Sequence, residues 1–159
     1  MTQRLIAVVV IFLFVLVLAP ARADTKFTVE TILGEWTDGA RSNRVVPYKI
    51  YRPANAPGAR AVVIFSHGLG GNRDGAEYLM RFLAENGYVG VAVQHPGSDT
   101  PAVFGGMPGT PAFDPDKARD GARAAITPGV AIDRFRDILF AIDQLAAMNA
   151  SDARLRGRL

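Results

Sequence analysis

The chain has 159 residues, 49% of them hydrophobic and 21% charged, and it contains no cysteine. That composition fits one globular domain and excludes a disulfide framework, a thiol nucleophile, thiolate metal sites and a lipid-modified N-terminal cysteine. Basic residues outnumber acidic ones by 18 to 15, but two of them, Arg4 and Arg22, fall in a segment read below as removable. With no aromatic-basic stripe beside it, so small an excess is no nucleic-acid footprint.

Arg4 precedes 15 residues, Leu5 to Ala19, without a polar side chain, and Pro20-Ala21-Arg22-Ala23 follows. A positive start, an apolar stretch and a small-x-small end predict a secretory signal over residues 1–23, cut after Ala23. Residues 24–159 are then expected in the periplasm or outside the cell. The alternative is an uncleaved anchor, for which the run is short against the roughly 20 apolar residues of a spanning helix. Membrane attachment is expected only through that uncleaved leader.

Beyond the leader, Phe27 to Leu33 and Val45 to Tyr51 are rich in β-formers, and Asp38-Gly39 between them supplies turn chemistry. They predict a hairpin or short meander, with Pro47 marking the second strand as an edge or irregular one. Trp36 reads as a packing residue. Ala61 to Phe65 is a continuous apolar run that suits a strand buried on both faces. The glycine-rich stretch Ser66-His67-Gly68-Leu69-Gly70-Gly71-Asn72 follows it. Asp74 and Glu77 resemble a capping box, Leu79, Phe82 and Leu83 recur at helical spacing, and Asn86-Gly87 is a stop. Tyr88 to Val93 is the next strand, which makes a β-α-β unit with parallel strands.

Residues 96–127 hold five prolines and five glycines, an irregular segment of a length that is often functional. A short helix is expected over Asp116 to Ile126. Thr127-Pro128 then starts a helix to about Asn149, with Ile132, Phe135, Leu139 and Ile142 along one face. Arg134, Arg136 and Asp137 read as a solvated face with local ion pairs, and Arg154, Arg156 and Arg158 as a solvated turn.

A glycine-rich strand-to-helix turn can cradle phosphate, but Gly68, Gly70 and Gly71 lack the third fingerprint position and no Lys-Ser/Thr pair follows. It can also form an oxyanion hole, where glycines bring backbone N–H groups close to a substrate carbonyl. Ile64-Phe65-Ser66-His67-Gly68-Leu69-Gly70-Gly71 resembles the His-Gly-x motif of α/β-hydrolases, in particular the dienelactone hydrolase-like and platelet-activating-factor acetylhydrolase-like esterases. The likeness extends through Tyr88 to His95 and returns from Arg134 to Leu145. It implies an α/β fold with a mostly parallel sheet flanked by helices, and a carboxylic ester hydrolase needing no cofactor or metal. It also implies the Leu69 N–H as oxyanion donor, with His67, Gly68 and Gly70 shaping the turn.

Enzymes of this kind carry their nucleophile in Gly-x-Ser-x-Gly, followed by an acid and a histidine, and residues 1–159 contain no such motif. The resemblance therefore predicts the N-terminal half of a hydrolase, its whole triad lying beyond Leu159, and no activity in this chain alone. Ser66 beside His67 is a poor nucleophile–base pair, because strand neighbours point to opposite faces. His95 and Asp99 are expected at the rim of the pocket. His67, His95 and either Asp74 or Asp99 could in principle hold zinc, although an active-site rim supplies the same residues without one. Phe104, Met107 and Phe113 could line a pocket or pin their loop to the core. A small-molecule ester is the expected substrate of a complete chain, and self-association is expected through an exposed sheet edge. The competing reading is a non-catalytic binding or interaction protein that keeps this half-fold.

Overall fold

The computed structural model describes residues 26–105 and 113–159, so the predicted leader lies outside the described residues. Alternating side chains and the Asp38-Gly39 turn give the expected antiparallel hairpin, β1 (Val29–Asp38) and β2 (Arg44–Pro53). The Asp38 side chain caps a 3₁₀ turn at Gly39–Arg41 by accepting from the Ala40 N–H. Trp36 stacks on Tyr48 with ring centroids 4.0 Å apart, a packing role.

The β-α-β unit follows as β3 (Val62–Ser66), α1 (Glu77–Glu85) and β4 (Val89–Val93), with β3 and β4 parallel. The sheet order is β1-β2-β4-β3. The α/β class stands, but the expected mostly parallel sheet does not. Two of its three strand pairs are antiparallel, because the hairpin supplies half the strands and β2 joins β4 antiparallel. Pro47 is accordingly not on an edge strand. The β2–β4 pairing runs only over Tyr48–Tyr51, so Pro47 sits just outside it and its carbonyl accepts from the Gln94 N–H.

Strand alternation sends Val89, Val91 and Val93 to one face of the sheet and Ala92 to the other. On the first face they meet Ile32, Val46, Ile50, Ala141 and Leu145, the last two from α4 (Pro128–Ser151). On the second, Tyr51 and Ala92 meet Met80 and Ala84 of α1. The predicted capping box is not formed: the N-cap of α1 is Ala76, without a side-chain bond. Asp74 and Glu77 instead hold Lys49 of β2 at 2.9 and 3.0 Å. The predicted helical face is also turned, for Met80 and Ala84 point inward while Leu79 and Phe82 are exposed. β3 is half-buried rather than buried on both faces, because among the described residues it pairs only with β4.

The segment after β4 contains an unexpected short helix, α2 (Thr100–Phe104), and the expected one, α3 (Pro115–Ala125). Thr127 caps α4 by accepting from the Val130 N–H, with Pro128 at its first turn as predicted. The stripe of Ile132, Phe135, Leu139 and Ile142 has the right period but faces outward, at 49%, 74%, 64% and 48% exposure. The inward face carries Asp137, Ala141 and Leu145. In the C-terminal turn, Leu155 is buried and Arg158 donates to the Ala56 carbonyl, so that segment is tied to the core as well as solvated.

Candidate active site

The turn after β3 is held from beneath by two imidazoles whose rings lie 5.0 Å apart. His67 Nε2 accepts from the His95 backbone N–H at 3.0 Å. Its Nδ1 must then carry the proton, which it donates to the Gly68 carbonyl at 2.7 Å. Burial lowers the His67 pKa, with the Gly68 contact opposing it, so the ring is neutral at physiological pH. The Gly70 N–H donates to the Ser98 carbonyl and the Gly71 N–H to the Gly68 carbonyl. Among the described residues the Leu69 N–H donates to no acceptor.

Gly70 has φ +71°, and a Cβ there would lie 2.4 Å from Phe104 Cε2, so conformation and space both demand glycine. A Cβ at Gly68 would meet nothing within 4 Å, so the turn is open on that side. Leu69 is exposed on a cavity of about 410 Å³ shared with Ala125, Ile126, Ala131 and Arg134. Of the three loop side chains left open above, Phe104 packs on Gly70 and against Phe113 at 6.3 Å, which pins the loop. Met107 lies outside the described residues.

The predicted rim residues lie deeper than a rim. His95 and Asp99 are both buried, and Asp99 caps α2 while accepting from the Gln94 side chain. Asp74 is committed to Lys49. With both nitrogens of His67 and of His95 in hydrogen bonds, no zinc ligand set assembles among the described residues.

The reading of Asp137 as part of a solvated face is overturned: its side chain is fully buried. Burial acts to raise its pKa, but hydrogen bonds from Arg44, His95 and Arg41 outweigh this and hold the carboxyl at about 2. Arg44 is bidentate, with Nε 2.8 Å from one oxygen and Nη2 2.9 Å from the other. Arg41 adds Nη1 at 2.8 Å. The neighbouring Arg134 is half-buried and donates to the His67 carbonyl, to Ser98 Oγ at 2.7 Å and to Ser66 Oγ at 3.1 Å. It thereby fastens α4 to the turn.

A further chain of contacts was not foreseen. His95 Nδ1 lies 3.1 Å from Asp137 Oδ2, and its Nε2 lies 2.8 Å from Ser66 Oγ. The partners are 29 and 42 residues apart, so only strand pairing and the docking of α4 bring them together. One signal was available: Asp137 stands four and eight residues before Ala141 and Leu145, on the stripe that packs inward.

No known protein family matches this sequence, and no curated protein matches it. Solved structures resemble it in part. A cold-adapted esterase from an Arctic intertidal metagenomic library aligns with 77% of this chain and 45% of its own, at 20% identity and a TM-score of 0.44. An acetyl xylan esterase from Paenibacillus sp. R4 aligns over 81% and 44%, at 18% identity and 0.44. A hypothetical protein from Pseudomonas aeruginosa aligns over 63% and 32%, at 23% identity and 0.37. The chain thus spans less than half the length of each of these three proteins.

Proposed function

We propose that this chain supplies the oxyanion side of a carboxylic ester hydrolase. The observation that carries the reading is Leu69, whose N–H has no acceptor among the described residues and which lines an apolar cavity at the carboxyl end of a parallel strand. A fixed, pre-oriented donor at that place stabilises the negative charge that develops on a carbonyl oxygen under attack. The neutral His67 and the Arg134 clamp hold the turn in place, so little reorganisation is needed when that charge forms. The apolar walls suit an uncharged acyl group.

In this reading acyl transfer to water goes through a serine in a Gly-x-Ser-x-Gly elbow, with its acid and histidine, a motif that residues 1–159 do not contain. Residues 24–159 alone are then expected to give no sustained turnover. The leader places the enzyme outside the cytoplasm once cut after Ala23.

The test uses the protein as its host makes it, identified by intact mass and assayed with p-nitrophenyl butyrate. Wild-type turnover is expected, and Leu69→Pro, which removes the N–H, should lower kcat about 10²-fold or more with the fold retained by circular dichroism. Equal turnover in wild type and variant would overturn the assignment of Leu69. Absence of turnover in the host's own protein would favour the binding-protein reading.

A further inference from the structure

We propose that Ser66 is a nucleophile in its own right, activated by His95 and Asp137, and that it accepts an acyl group from an ester entering the apolar groove in front of it. This stands apart from the oxyanion reading, which places catalysis on a different serine.

The roles follow from the hydrogen bonds. Asp137 is ionised and fully buried, so the His95 Nδ1 at 3.1 Å must donate to it. In the Nδ1–H tautomer, His95 Nε2 is a lone pair to which the Ser66 hydroxyl 2.8 Å away donates. Nucleophile, base and orienting carboxylate thus stand in hydrogen-bond series, the arrangement that activates a serine whatever the chain order of its members. Arg44 and Arg41 hold Oδ1 of the carboxylate, and Arg44 Nη2 shares Oδ2 with His95. Arg134 Nη2, 3.1 Å from Ser66 Oγ, is a cationic donor beside the atom that becomes negative.

Accessibility separates this array from a merely structural network. His95 and Asp137 are buried, but Ser66 is exposed. It opens on a groove of about 570 Å³ lined by Ala131, Arg134, Phe135, Ile138 and Leu139. One charged group beside four apolar side chains suits an ester with an apolar acyl chain and a polarised carbonyl.

In the reaction Ser66 Oγ attacks the carbonyl carbon as its proton passes to His95 Nε2. The carbon–oxygen bond to the leaving alcohol then breaks, and His95 returns the proton to that alcohol. The acyl group stays on Ser66. The product of this step is one acyl group per chain.

The experiment treats the full chain with an alkyl fluorophosphonate, in which Ser66 Oγ bonds to phosphorus, fluoride leaves and the proton goes to His95. Mass spectrometry of peptides should place one phosphonyl group on Ser66, and none on residue 66 of Ser66→Ala. Because the chain has no cysteine, Ser66→Cys gives a single thiol. With the His95 ring placed to take its proton, it should react with iodoacetamide at pH 7 about 10-fold faster than N-acetylcysteine. Adding His95→Gln should return it to the free-thiol rate. An unmodified Ser66 in folded protein, or a Ser66→Cys thiol no faster than N-acetylcysteine, overturns the proposal even if His95→Gln fails to fold.

Discussion

Asp137 is the residue on which the site's electrostatics turn. Two arginines and an imidazole surround a carboxylate with no access to water, and taking one partner away leaves buried charge uncompensated. Arg44→Met should therefore cost about 3–5 kcal/mol, read as a lower urea midpoint at unchanged slope. Arg44→Lys, which keeps the charge but loses the bidentate fork, should cost less. The same carboxylate sets an acid limit. Its folded pKa of about 2 lies below the ordinary 3.8, so its ionised form stabilises the fold above pH 3.8. That contribution is lost as pH falls through about 2. Urea midpoints measured against pH should fall more steeply across this window in wild type than in Asp137→Asn.

Between elements, α1 packs closely on the sheet. A Cβ at Gly90 of β4 would lie 2.9 Å from Met80 Sδ and 3.3 Å from Met80 Cβ. Gly90→Val would have to push α1 outward, and overpacking of this kind costs about 1–3 kcal/mol, to be read in urea unfolding. The displacement should reach Lys49, whose ammonium bridges β2 to Asp74 and Glu77 at the start of α1. At α4 the competition runs the other way. Its most apolar stripe faces outward because burying Asp137 satisfies Arg44, Arg41 and His95 together, and the helix can present only one face to the sheet. The exposed stripe and its uncompensated apolar area are the result.

For the whole molecule, Phe135 and Leu139 of that stripe share a groove with Ser66 at the end of β3, a strand that pairs only with β4 among the described residues. A free strand edge beside exposed Phe135 and Leu139 is a template for a second copy of the chain. Sedimentation velocity on residues 24–159 should show association that grows with concentration, and Phe135→Lys with Leu139→Lys should reduce it. A monomer at every concentration in both proteins would remove the idea.

The sequence by itself determined the local structure where one side chain decides one conformation. The hairpin and its Asp38 cap, the glycine turn after β3, the Asn86-Gly87 stop and the Thr127-Pro128 start all stand where local chemistry puts them. So do the parallel pairing of β3 with β4 and the position of Leu69, since an apolar strand, a turn and a returning strand leave the chain few ways to run. Tertiary structure decided which faces turn inward and which distant groups meet. Periodicity gave the stripes of α1 and α4 but not their orientation, which depends on what the sheet presents: Gly90 opposite Met80, and Arg44 opposite Asp137. The second antiparallel pair followed from β2 docking on β4, an encounter that no local pattern encodes. Ser66, His95 and Asp137 each have an ordinary reading where they stand in the chain. Their 2.8 and 3.1 Å contacts exist only because two parallel strands end at one rim and a helix lays a carboxylate beneath them.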